Sequence, residues 1–405
     1  MKKNILLKNC FIIDVEKGNH MSNGTIEISD GKIVKAGPAD DVHLSFTDYQ
    51  EIDLKGFTVL PGLINVHVHL CLSAEPNPNV LNQTDIETAI HVIQNAQKTL
   101  YSGVTTVRDC GCNNSATIEV SKAIESEKVT GSRIIPTGRA LLITGGHGRF
   151  LGREVDGVEN IRKAAREEIK EGAKALKVVA TGGVLSPGTE IGAPELNYEE
   201  ILAVVEEAKK KGLTVAAHAI GTEGIMNAIK AGVDSIEHGS YLTDEAISLM
   251  KEKGIFHIPT LTAYHCVVEN SNHSAMDAST VRKAKSAQED NIHSFIKSRQ
   301  AGVEFAAGTD AGTPYNPHGD IHLEMKLMEA SGVSKMDILR AASIQGAKLL
   351  RIDDQVGSIA ENKVADLIAV EGNPLEDLDA IKNIKLVIKE GSLVHHAMER
   401  KELFV

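Results

Sequence analysis

Five times in this chain a glycine is followed at once by an apolar or β-branched residue: Gly103-Val104, Gly172-Ala173, Gly212-Leu213, Gly232-Val233 and Gly302-Val303. Each pair stands where a helical pattern stops and an apolar run begins, as in Asn160 to Glu171 closing at Gly172, or Glu199 to Lys211 closing at Gly212. Helices alternating with short strands imply parallel β/α units. After the run that starts at Pro61, the strand candidates are Thr105 to Asp109, Arg133 to Thr137, Ala175 to Ala180, Thr214 to His218, Ser235 to Glu237, Phe256 to Pro259 and Glu304 to Ala307. They make eight, and residues 61 to 348 give 288 positions, or 36 per unit, close to what an α/β chain uses for a (β/α)8 TIM barrel.

The flanks have a different texture. Ile5 to Asp14, Thr25 to Ser29, Lys32 to Ala36 and Thr58 to Leu60 read as strands, and Asp30-Gly31 between alternating runs signals a hairpin. Strand patterns return at Gly357 to Ile359, Ala365 to Val370, Ile384 to Lys389 and Ser392 to Val394. Residues 1 to 60 and 349 to 405 are therefore expected to form a small β-sandwich domain, with the barrel of residues 61 to 348 inserted in it.

Composition narrows the partners. The net charge is -12 and no Lys/Arg cluster stands out, which argues against nucleic acid and anionic membranes. No run of about 18 apolar residues is present to span a bilayer. Five irregularly spaced cysteines imply no disulfide framework and fit a reducing, cytoplasmic setting.

In a barrel of this kind the reactive groups come from the carboxyl ends of different strands. The first strand ends in His67-Val68-His69, and residues i and i+2 of a strand share a face. His218 ends the fifth strand, His238 the sixth and Asp310 the eighth, while Lys177 lies within the apolar fourth. Imidazoles and a carboxylate converging on one point suit a divalent metal, and mixed N/O donors suit zinc. Lys177 is the informative member, because a buried ammonium is costly unless paired or neutral. A neutral lysine amine can add carbon dioxide, and the resulting carbamate can bridge two cations. The competing expectation is a structural ion pair from Lys177 to Glu237 or Asp310. The expected centre has His67, His69 and Asp310 on one ion, His218 and His238 on a second, and carboxylated Lys177 between them. Water activated there would attack a carbonyl, with Asp310 as the catalytic proton acceptor.

The whole pattern resembles the amidohydrolase superfamily: Pro-Gly-Leu-Ile-Asn-Val-His-Val-His opening the barrel, the lysine of the fourth strand, the two later histidines, Gly-Thr-Asp-Ala-Gly and the split β-domain. Asn65 departs from it, since the superfamily often carries an acid there. Ala-Leu-Lys-Val-Val-Ala-Thr-Gly-Gly, Gly-Gly-His-Gly and Ile-Glu-His-Gly are similar to the prolidase-like zinc carboxypeptidases and dipeptidases. That resemblance implies two divalent ions, a homo-oligomer, a dipeptide or N-acyl amino acid substrate, and substrate contacts at His147 and Tyr241. Arg149 is a further candidate for holding a carboxylate. A C-terminal Arg or Lys is the preference expected, with Xaa-Pro next, and Glu190, Glu195 or Asp320 as candidate partners for a cationic side chain. The rivals are a single-metal deaminase or imidazolonepropionase-like hydrolase, and a catalytically dead scaffold.

Overall fold

A computed structural model describes residues 4–42, 44–76, 83–186, 188, 190–272 and 276–397. Both ends of the chain enter one eight-stranded sheet, ordered Ser392–His396, Ile384–Lys389, Leu367–Glu371, Phe57–Pro61, Ile5–Asp14, Asn19–Ser29 and Lys32–Pro38, with Gln50–Asp53 also on Ile5–Asp14. The hairpin falls at Asp30-Gly31, whose φ angles of 47° and 81° match the right-handed strand twist. Ile12, Ile26, Ile28, Leu367 and Ile388, drawn from strands of both chain ends, are buried together in one apolar core. Gly357 to Ile359, expected as strand, forms bends instead.

The middle of the chain alternates helices with parallel strands. Leu63–Val68, Val104–Asp109 and Arg133–Pro136 form one parallel sheet, and Gly152–Glu154, Ala140–Leu142, Ala175–Val179, Thr214–Ala219, Ser235–His238 and Phe256–Ile258 form another. All five helix-stopping glycines have positive φ, between 70° and 118°, which lets the chain reverse into the next strand without a Cβ penalty.

The segment 304–307 is not the full strand that its sequence suggests. It makes one bridge, Phe305 to His257, and Ala307 sends its N–H at 3.0 Å to Ala341 O, outside any strand ladder. It still joins the two parallel sheets: His257 N donates to Glu304 O, Val66 N to Ala307 O and Asp310 N to His67 O, at 2.8 to 2.9 Å. Gly308 permits that approach, since a Cβ there would lie 2.5 Å from Ile258 Cγ2 and 2.8 Å from His67 Cβ. Among the described residues no helix is long and apolar enough to cross a membrane.

Candidate metal centre

The parallel strands and the 304–310 segment bring His67, His69, Lys177, His218, His238 and Asp310 to one place, and none is more than 8% exposed. The rings form a contiguous row: centroids lie 5.4 Å apart for His69 and His67, 5.4 Å for His67 and His238, 4.6 Å for His238 and His218, and 4.5 Å for His218 and His147. Asp310 Oδ1 faces His67 Nε2 at 3.3 Å and His69 Nε2 at 3.2 Å. Donor atoms of His67, His238 and Asp310 lie within 4.8 Å of one another.

What fixes these rings is as informative as the rings. His67 Nδ1 lies 2.6 Å from Glu237 Oε2, and Arg108 Nη2 donates to Glu237 Oε1 at 2.8 Å. Burial pushes the Glu237 carboxyl up, but Arg108 and His67 outweigh it and hold Glu237 ionised. An ionised carboxylate only accepts, so His67 carries a proton on Nδ1 and offers Nε2 to the site. His69 Nδ1 faces Gly111 O at 3.2 Å, with the same result. His238 Nδ1 meets Thr260 Oγ1 at 2.6 Å, and because that hydroxyl donates to Pro259 O, its oxygen is the acceptor.

Burial holds His218 and His238 well below the ordinary imidazole range and pulls His147 down to about 3, so all three are neutral. Burial raises Asp310, but the adjacent His67 and His69 outweigh it and keep its carboxyl well below its usual range. His218 Nε2 and Asp310 Oδ1 are buried without a hydrogen-bond partner. Buried lone pairs left unmatched cost roughly 1–3 kcal/mol each, and aimed at one point they fit a cation. His238 and Asp310 hold φ angles of 69° and 60°, and Thr260 one of 48°, local strain of the kind that accompanies functional sites.

Lys177 pairs with neither acid proposed for it. Glu237 is committed to Arg108 and His67, Asp310 faces two imidazoles, and no carboxylate among the described residues lies within ion-pair distance of the ammonium. Sequence reasoning missed Arg108, which is fully buried and also donates to Val66 O at 2.7 Å; a charged residue inside a strand was the available signal.

A cavity of about 70 Å3 opens onto these groups. Much of its lining is apolar, with Phe150, Leu151, Val184, Leu185, Ile220 and Val267. His147 lines it, its ring pressed on Gly183, where a Cβ would lie 2.4 Å from His147 Nε2. Arg149 does not line it. Gly148 begins the turn Arg149–Leu151 in the left-handed region, and a three-residue turn that points Phe150 and Leu151 inward leaves Arg149 exposed. Tyr241 is half-buried against Gly192, and Tyr264 takes the wall position instead, bonded to Ser240 at 2.9 Å. Glu190, Glu195 and Asp320 are also absent from the wall: Glu195 accepts the His147 N–H at 2.9 and 3.0 Å, and Asp320 caps the helix Ile321–Ala330.

Fold and site together point to a hydrolase of α/β architecture, with histidines from parallel strands and an aspartate from the 304–310 segment gathered at one cavity. The Amidohydrolase family profile matches residues 58–394, and the chain belongs to that family. Its structural neighbours are prolidase-like. An Xaa-Pro dipeptidase with methionine bound in its active site is 36% identical with a TM-score of 0.90, covering 97% of this chain and 100% of that one. A prolidase complexed with N-methylphosphonate-L-proline is 32% identical with a TM-score of 0.89, over 97% of this chain and 100% of that one. Ochratoxinase of Aspergillus niger is 29% identical over 91% of this chain and 82% of its own length.

Proposed function

We propose that this protein is a metal-dependent amidase acting on dipeptides or N-acyl amino acids, with Xaa-Pro and other apolar C-terminal residues ahead of Arg or Lys. The observation that carries the hydrolytic part is the buried donor set: His67 and His69 offering Nε2, neutral His218 and His238, an ionised Asp310 and an unpaired Lys177 around one cavity. His67, His69 and Asp310 would hold one divalent ion, His218 and His238 a second, and Lys177 as its carbamate would bridge them. Such ions polarise a carbonyl and bring a water's pKa down toward neutrality. Zinc suits these donors. Around this centre we read the parallel sheets and the 304–310 segment as a (β/α)8 barrel, with residues 1–60 and 349–405 as the second domain.

The chain's own groups divide the remaining work. Asp310, ionised and beside two imidazoles, is the proton acceptor for the attacking water and returns the proton to the leaving amine. His147, neutral, is placed to hydrogen-bond the substrate, and Tyr264 offers a hydroxyl from the same cavity wall. The preference departs from the Arg or Lys expected from sequence, because among the described residues Asp310 is the sole acid on the cavity wall, and it is engaged by two imidazoles, which leaves a buried cationic side chain without a partner there. An apolar residue gains from the same wall. The Xaa-Pro dipeptidase and prolidase neighbours support this choice.

The test is a dipeptide and N-acyl amino acid panel varied at the C-terminal residue, with zinc supplied and metal counted per chain. Two ions per chain and faster turnover of Xaa-Pro or Xaa-Met than of Xaa-Arg are expected. Inertness across the panel with one ion per chain would move the assignment to the deaminase or imidazolonepropionase type.

A further inference from the structure

A second cavity, of about 500 Å3, lies at the entering end of the segment whose leaving end carries Asp310. It is framed by the turn after the strand Ile5–Asp14, the end of the helix Ala278–Gln300, and the helices Lys335–Ala341 and Ile344–Leu349. Three acids and three bases line it, so its formal charge is balanced. Their pairing is not.

Glu16 accepts from Ser358 Oγ at 2.9 Å, Glu304 from Gln345 Nε2 at 2.5 Å, and Asp337 takes Arg340 Nη1 at 3.2 Å and Ser334 Oγ at 2.7 Å. Arg340 also donates to Val15 O at 2.8 Å, tying the terminal sheet to the helices. Arg299 and Lys348, by contrast, have no acid within 4 Å among the described residues. Arg299 Nε is buried with no hydrogen-bond partner, and so is Gln345 Oε1. A guanidinium cannot lose its proton to escape that cost, so the unmatched donor asks for an acceptor from outside the chain.

We propose that this cavity binds a small oxyanion, a carboxylate or a phosphate. The Arg299 fork meets two of its oxygens, Lys348 supplies the second charge, and for a hydrogen phosphate Gln345 Oε1 accepts from its hydroxyl. Arg340 is already engaged and forms the wall. The site is separate from the metal centre and shares no residue with its cavity.

The experiment is thermal melting and calorimetric titration of the metal-loaded enzyme with inorganic phosphate and, separately, with succinate, at ionic strength matched with sodium chloride. A saturable rise in Tm with a millimolar Kd is expected for at least one of the two, and which of them acts identifies the source of the oxyanion. The R299Q/K348Q variant should lose the response at least tenfold in Kd, and R299K should keep part of it. Phosphate also has an affinity for metal centres, so a response that the double variant retains in full overturns the proposal. So does the absence of any saturable response in the parent. Unchanged turnover in both variants without ligand shows that the fold and the metal centre survive the substitutions.

Discussion

Glu237→Gln is the sharpest perturbation of the centre, because it changes one atom in a fully buried side chain and forces a choice. Glu237 Oε1 faces Arg108 Nη2 at 2.8 Å and Oε2 faces His67 Nδ1 at 2.6 Å. The Ser235 hydroxyl also donates to Oε1, so a glutamine has one acceptor oxygen for the Arg108–Ser235 side or for His67, not for both. If that oxygen turns to Arg108, the amide NH2 meets His67 Nδ1, which must become an acceptor, so the ring proton moves to Nε2 and the inward lone pair is lost. If it turns to His67, the NH2 opposes a guanidinium that cannot deprotonate. The first orientation wins, since a buried guanidinium facing the amide NH2 would have no acceptor there and cannot lose its proton, whereas a histidine changes tautomer at little cost. Metal affinity should then fall about 10- to 100-fold, or roughly 1.4–2.8 kcal/mol. Loss of the anion beside Arg108 should lower the stability of the metal-free protein by a few kcal/mol. Chelator competition measures the first effect and urea unfolding of the metal-free protein the second. Metal affinity within twofold of the parent would refute the tautomer reasoning, whatever happens to stability.

Three further outcomes are expected. Lys177→Met should abolish turnover yet leave the metal-free protein as stable as the parent or more so, because a buried, unpaired ammonium is replaced by an apolar chain of similar length; a less stable variant in thermal melts would show that Lys177 has a structural partner. Gly183→Ala should displace the His147 ring, since the new Cβ would lie 2.4 to 2.7 Å from three of its atoms. Catalytic efficiency should fall on the order of tenfold to a hundredfold with unfolding changed little, and full activity would count against a role for His147. Glu324, buried where it accepts from Leu261 N and Thr262 N at 3.0 and 2.8 Å, is pushed up to about 7 by burial. Its folded value exceeds its unfolded one, so its contribution is full below about pH 4.3 and is lost as pH rises through 7, by at most about 4 kcal/mol. Urea midpoints at pH 5 and pH 8 should converge in Glu324→Gln relative to the parent, and parallel shifts in both proteins would contradict the assignment.

The strand and helix order was legible because its signals are local. Helix-stopping glycines, a 3.6-residue apolar period and two histidines two apart at a strand end are properties of a few neighbouring residues. Ile5–Asp14 and Ile384–Lys389 match the sequence expectation residue for residue for that reason. The segment 304–307 fails it because its hydrogen bonds depend on Ala341, a residue distant in the chain. Arg149 and Tyr241 carried suitable chemistry, but the left-handed start at Gly148 decided which neighbour faces the cavity, and Tyr264 reached the wall from a helix that no motif marks.

Sequence alone determined the periodic framework and the residue types that converge, since both follow from local sterics and from how poorly imidazole and ammonium groups suit an apolar core. Only the tertiary structure decided which protons those groups carry. The tautomer of His67 is set by Glu237, 170 positions away, and the charge of Glu237 by Arg108 on a different strand. Electrostatic energies of this kind depend on distance and burial in space, and neither is written in the order of residues along a chain.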